Sequence, residues 1–133
     1  MQKTELVAVY GSLLSGLRNH EVMTSLGENH YELVGETTIE GFNLFPVSSF
    51  PGIERGDNVV KVEVYKVTRE LLTNRLDLLE GYNENSEHNT FYDRQKVKTE
   101  FGDTWIYVYV RGAEDREIIT DGDWRKYYNE RLR

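Results

Sequence analysis

The stretch Val59-Val60-Lys61-Val62-Glu63-Val64-Tyr65-Lys66-Val67-Thr68-Arg69-Glu70-Leu71-Leu72-Thr73-Asn74-Arg75-Leu76-Asp77-Leu78-Leu79-Glu80-Gly81-Tyr82 changes its period half way along. Val60, Val62 and Val64 alternate with Lys61, Glu63 and Tyr65, the period-2 pattern of a strand with one apolar face. Thr68 then offers an N-cap, and Glu70 suits the positive first turn of a helix. Leu72, Leu76 and Leu79 recur at i, i+4 and i+7, an amphipathic helix that Gly81 ends. On that wheel Asp77 points away from the leucines, toward solvent.

Outward from this strand and helix, the N-terminal side begins with the apolar run Leu6-Val7-Ala8-Val9-Tyr10, a buried strand that stops at Gly11. Asn19 caps a short helix to about Leu26, with Gly27 behind it. Tyr31 to Phe45 reads as one or two strands, with Gly35 and Gly41 inside. Pro46 and the triplet Phe50-Pro51-Gly52 mark irregular loop. On the C-terminal side Asn83 to Asn89 is a polar loop. Tyr92–Thr99 and Trp105–Val110 form a hairpin across a short Gly102-containing link. Trp124, Tyr127 and Tyr128 dock the last dozen residues on the body. Strands outnumber helices, so the class is α+β with a mixed or antiparallel sheet, which can curl into a small barrel. No repeat or linker divides residues 1–133, and one domain is expected.

The 133 residues are 38% apolar and 29% charged, a globular mixture. A net charge of −7 without a basic patch repels phosphate backbones and argues against nucleic acid as a partner. Nothing approaches 18 consecutive apolar residues, so no membrane helix is expected. The N-terminus lacks the apolar run of a signal peptide. Cysteine is absent, which excludes disulfides, thiolate nucleophiles and thiolate metal sites. The simplest reading is a soluble cytoplasmic protein, with no signal of its oligomeric state.

Several motifs fail. Gly11-Ser12-Leu13-Leu14-Ser15-Gly16 has the glycine spacing of a phosphate loop, but Leu17-Arg18 stands where Lys-Ser/Thr is needed. Tyr10-Gly11-Ser12-Leu13-Leu14 is not a nucleophile elbow. His20, His30 and His88 have no metal-ligand spacing. Two features survive. In Tyr10-Gly11-Ser12-Leu13 a buried strand ends in a turn whose N–H groups can grip an anion or oxyanion, or which is only a strand-end turn. In Leu76-Asp77-Leu78-Leu79-Glu80-Gly81, Glu80 follows Leu76 by four residues and sits at the negative end of the helix. Either it turns inward with a raised pKa and transfers protons, or it turns outward as an ordinary helix-end residue.

In this order and spacing the chain resembles the gamma-glutamylcyclotransferase-like family, in particular its gamma-glutamylamine cyclotransferase and avirulence-induced-gene-like branch. The matching residues are Tyr10–Leu13, Asn19-His20, Val62-Glu63-Val64-Tyr65, Leu76–Gly81, Tyr92-Asp93-Arg94 and Trp105–Tyr109. The resemblance implies a small β-barrel of mixed strands with helices outside and Glu80 as the catalytic acid and base. It places Tyr10, Gly11, Ser12 and Leu13 at the floor of the pocket for a γ-glutamyl substrate. The implied reaction is intramolecular aminolysis, in which the substrate's α-amine closes on its own γ-carbonyl and releases 5-oxoproline and an amine or amino acid. It needs no metal or cofactor. Tyr109 either lines the pocket beside Tyr10 or only packs; Asn19 either orients the loop or caps its helix; Arg94 makes a structural ion pair. The chain departs from the family at Val62, where a glycine is usual and whose bulk would reshape a pocket wall, and in the longer loop of residues 86–90. Asp121–Trp124 is either a lid or part of the docked terminus. Three other readings stand beside this one: action on a larger γ-glutamyl conjugate, a non-catalytic small-molecule binding module, and an interaction protein.

Overall fold

The computed structural model describes residues 3–86, 89 and 91–132. Among these, five strands form one mixed sheet in the order β2-β3-β1-β5-β4. The apolar run near the N-terminus becomes the central strand, β1 (Thr4–Val9). It pairs antiparallel with β3 (Pro51–Thr68), from Thr4 opposite Thr68 to Val9 opposite Glu63. On its other side it pairs parallel with β5 (Gly102–Tyr109), Val7 opposite Trp105 and Ala8 opposite Ile106. β2 (Tyr31–Pro46) and β4 (Tyr92–Thr99) form the edges. The α+β class holds, but the sheet is not closed into a barrel. The edges approach through a side chain, the Phe101 ring lying on Gly35 of β2, rather than through a ladder.

One strand feature settles a choice the sequence reading leaves open, and two differ from it. Tyr31–Pro46 is one strand bent by register shifts at Leu33/Gly35 and Glu40/Phe42. The Pro51-Gly52 segment, expected as loop, opens β3, opposite Phe45 and Pro46. In β3 the alternation stops at Glu63 and Tyr65, which are buried along with Val62 and Val64. Both faces are covered there. The loop after β1 and the C-terminal helix lie over Glu63, and the His20 and Tyr31 rings lie against Tyr65.

The amphipathic helix begins as α2 (Arg69–Leu71), with the Thr68 hydroxyl accepting from the Leu71 N–H at 3.2 Å. It continues through a π-helical turn, Leu72–Leu76, into α3 (Asp77–Glu80). The Asp77 N–H bonds to the Leu72 carbonyl five residues back, one more than in an α-helix. The extra residue turns everything beyond it by about 100°. Leu79 is therefore swung to 39% exposure, while Asp77, expected in solvent, is buried. Gly81 terminates the helix with φ +71°, the left-handed conformation glycine adopts without strain.

α1 (His20–Thr24) follows Asn19, whose side chain does not cap it. The C-terminal residues pack as expected. Trp124, in α4 (Trp124–Tyr127), is 1% exposed, and the Gly122 carbonyl accepts from the Lys61 N–H of β3 at 2.9 Å. Residues 87, 88 and 90 of the extended loop, His88 among them, lie outside the described residues.

Candidate active site

The C-terminal end of β1 opens into a cavity of about 430 Å³, within the size range of small-molecule sites. Three segments far apart in sequence build it. The Tyr10–Leu13 turn leaves the middle of the sheet, the β2–β3 tip brings Phe50 and Pro51, and the end of α3 brings Leu79 and Glu80. Tyr92 of β4 and Tyr107 of β5 complete the inner wall.

Gly11 is required by the second of these segments. A Cβ there would stand 2.6 Å from Pro51 Cγ, so only glycine lets the hairpin tip close over the turn. The turn is fixed from within and from α1. The Leu14 N–H donates to the Gly11 carbonyl at 3.0 Å. Asn19 donates its backbone N–H to the Ser12 carbonyl and its Nδ2–H to Ser12 Oγ, both at 2.8 Å. His20 Nδ1 lies 3.0 Å from the Leu13 carbonyl. Asn19 thus orients the loop rather than capping its helix. Among the described residues, the Ser12 and Leu13 N–H groups meet no acceptor.

Glu80 enters from the opposite wall. It is three residues from buried Asp77 and four from buried Leu76, so the regular turn after the π segment aims it inward. Its carboxyl lies deep in the molecule although the residue is partly open to the cavity. Three phenols surround it and none donates to it. Tyr10 Oη donates to the Tyr107 carbonyl at 2.7 Å, Tyr92 Oη to the Pro51 carbonyl at 2.5 Å, and Tyr107 Oη to Asp77 Oδ1 at 2.6 Å. Each hydroxyl has one proton, and each proton is already committed. Burial without a donor, together with the Asp77 charge, pushes the Glu80 carboxyl up to about 8. Burial, joined by the Glu80 charge, also lifts all three phenols well above their ordinary range.

Asp77 is held from behind. Burial raises its pKa, against the Tyr107 hydrogen bond and the charge of Arg94, 3.6 Å away. Arg94 is buried between the rings of Tyr82 and Trp105 and reaches Glu84 at 3.0 Å, the structural ion pair expected of it.

The structure thus brings together Tyr10, Gly11, Ser12, Leu13, Asn19 and Glu80 around one cavity. Tyr109 is not among its lining residues; it packs edge-on against Phe45 and Tyr92. Tyr107, two residues earlier on the same face of β5, takes the place expected for it. Val62 lies away from this cavity, beside Trp124 and Arg125. Tyr92 opens β4 and Tyr107 is one of two tyrosines in β5, but only the strand order shows which tyrosines face inward. Among the described residues no group of His, Asp and Glu is placed to hold a metal ion, and no helix is long and apolar enough to cross a membrane.

The chain is similar to known proteins over most of its length. The model of the family described as gamma-glutamyl cyclotransferase, AIG2-like, matches residues 7–126. The gamma-glutamylcyclotransferase family protein YtfP of Escherichia coli is 32% identical over 118 residues, 89% of this chain and 94% of that protein. The gamma-L-glutamyl-butirosin B gamma-glutamyl cyclotransferase of Niallia circulans is 31% identical, over 90% of this chain and 74% of its own length. A crystal structure of an uncharacterized protein from Pyrococcus horikoshii superposes with a TM-score of 0.73 at 26% identity, covering 97% of this chain and 99% of that one.

Proposed function

This chain belongs to the gamma-glutamyl cyclotransferase, AIG2-like family, and from that premise we propose that it converts a γ-glutamyl compound to 5-oxoproline and a free amine or amino acid, with Glu80 as acid and base. The observation that carries the proposal is the Glu80 carboxyl. It faces a cavity of substrate size, has no hydrogen-bond partner among the described residues, and lies across from a turn with two free N–H groups.

The chemistry begins with one proton. The α-ammonium must lose a proton before its nitrogen can attack, and a carboxylate pushed up to about 8 is a stronger base toward it than an ordinary glutamate. The productive pair is Glu80 carboxyl with neutral amine. The amine nitrogen attacks the γ-carbonyl carbon, a C–N bond forms, and the carbonyl oxygen gains charge opposite the Ser12 and Leu13 N–H groups. The proton removed from the α-nitrogen returns, through Glu80, to the leaving nitrogen as its bond to carbon breaks. The products are a five-membered lactam and a free amine. Holding the glutamyl chain folded for this attack is itself worth about 7–11 kcal/mol in well-oriented intramolecular reactions.

The test is 5-oxoproline release from γ-glutamyl amino acids, γ-glutamyl amines and glutathione by the wild type and by Glu80→Gln. Gln keeps the shape and loses the proton, so turnover falls by about 10²–10⁴-fold while circular dichroism is unchanged. Equal rates for the two proteins would remove Glu80 from the mechanism. No release by the wild type from any of the three would remove the reaction.

A further inference from the structure

The cavity is not uniform. Its inner end is made of buried residues: Tyr10 and Tyr92 are each 6% exposed and Tyr107 3%. Its outer rim carries three large apolar side chains left open to solvent, Phe50 at 36%, Leu79 at 39% and Phe91 at 45%. Open apolar groups gathered at a cavity mouth mark a place for apolar ligand surface. They are held there for separate reasons. Phe50 is carried by the β2–β3 tip, Leu79 is swung out by the π turn, and Phe91 packs within 3.4 Å of where a Gly81 Cβ would be.

The same rim carries a cation. Arg18 lines the cavity, is exposed, and makes no ion pair with any described residue. Acidic residues outnumber basic ones 23 to 16 in this chain. Arg69 pairs with Glu5 at 2.8 Å and Arg125 with Glu63 at 2.9 Å, whereas Arg55, Arg75 and Arg116, like Arg18, make no ion pair among the described residues; Arg18 differs from those three in lining the cavity. A guanidinium without a partner, beside an apolar rim, is matched to a ligand carboxylate.

We infer that the outer end of the cavity is a leaving-group subsite for an apolar amino acid, in which Arg18 takes the carboxylate and Phe50, Leu79 and Phe91 hold the side chain. The inference rests on the reaction proposed above and narrows its substrates to γ-glutamyl amino acids over γ-glutamyl amines. The glutamyl α-amine must reach Glu80, which puts the glutamyl group at the inner end and the scissile amide between it and the rim. The carboxylate that Arg18 meets then lies beyond the amide, on the leaving group. A leaving group with a cationic end is repelled by Arg18, and one without charge leaves it unpaired.

A matched pair of substrates tests this, γ-glutamyl-phenylalanine and γ-glutamyl-phenethylamine, which differ only in the carboxylate at issue. For the wild type, kcat/KM favours the first by about tenfold or more, and in Arg18→Gln that ratio falls to about one. A wild-type ratio near one overturns the inference. So does a variant that lowers both substrates equally, because Arg18 then holds the glutamyl carboxylate. Failure of the reaction itself is read separately. If the wild type releases 5-oxoproline from neither compound, calorimetric binding of the same pair decides. Tighter binding of γ-glutamyl-phenylalanine that disappears in Arg18→Gln upholds the subsite without the chemistry, and equal or no binding overturns both.

Discussion

Glu80 is held in a place that favours its protonated form, and this is visible in stability as well as in turnover. Its folded pKa of about 8 stands above the ordinary carboxyl value of 4.5. The folded state therefore binds the proton more tightly than the unfolded chain. The stability this gives is complete below pH 4.5 and is lost as pH rises through 8. Gln at this position does not titrate. We expect Glu80→Gln to match the wild type in chemical denaturation below about pH 4 and to exceed it by up to about 5 kcal/mol above about pH 9, where the wild type holds a charge facing the cavity. Equal stability across that range would mean that the carboxyl is not elevated. Asp77 belongs to the same account, because its charge adds to the effect of burial on Glu80 and its own position is fixed by Tyr107 and Arg94.

At the scale of elements, the site is a meeting of a turn, a hairpin tip and a helix end, and the contact between the first two is the tightest. Gly11→Ala places a methyl 2.6 Å from the Pro51 ring, which must move or displace the turn. Overpacking of this kind costs about 1–3 kcal/mol. We expect the denaturant midpoint to fall accordingly and kcat/KM for 5-oxoproline release to fall by about tenfold or more, because the Ser12 and Leu13 N–H groups move with the turn. Unchanged kinetics in a destabilised variant would separate the turn from the chemistry. The elements also explain which parts of the site were legible. Leu76, four residues before Glu80 and on its own side of the π turn, supports the inward one of the two orientations the sequence leaves open for Glu80. Asp77 and Leu79 depart from the expected wheel because their phase runs from Leu72, across the turn. Pro51-Gly52 carries the composition of a loop, and only its pairing with Phe45 and Pro46 makes it strand. Tyr107 rather than Tyr109 faces the cavity because β5 runs parallel to β1, a pairing between residues about a hundred positions apart that no local pattern announces.

For the whole molecule, the linchpin outside the cavity is Glu63. Burial alone would raise its pKa. Donors from the Ser15 N–H at 2.8 Å, Ser15 Oγ at 2.7 Å, Arg125 at 2.9 Å and Tyr65 at 3.0 Å more than offset this and hold it below the usual range. These bonds tie β3, the loop after the site's turn and the C-terminal helix to one carboxylate. A lowered pKa gives stability that is present above the ordinary value of 4.5 and is lost as pH falls through the folded one. Glu63→Gln should cost about 1–3 kcal/mol at pH 7, measured by urea denaturation, and the deficit should shrink as the wild type is acidified. A deficit that does not change with pH would mean that shape rather than charge holds the three parts together. The parallel neighbours β1 and β5 set a timetable as well as a geometry. β1 can find β3 as soon as residue 68 has been made, but its other side stays bare until residue 109 leaves the ribosome. The Tyr10 hydroxyl then meets the Tyr107 carbonyl, a closure across 97 positions, and long-range closures of this kind form slowly. The cavity is thus among the last features to be completed during synthesis, and a chain released before β5 would hold Glu80 and the Gly11 turn without the wall that joins them.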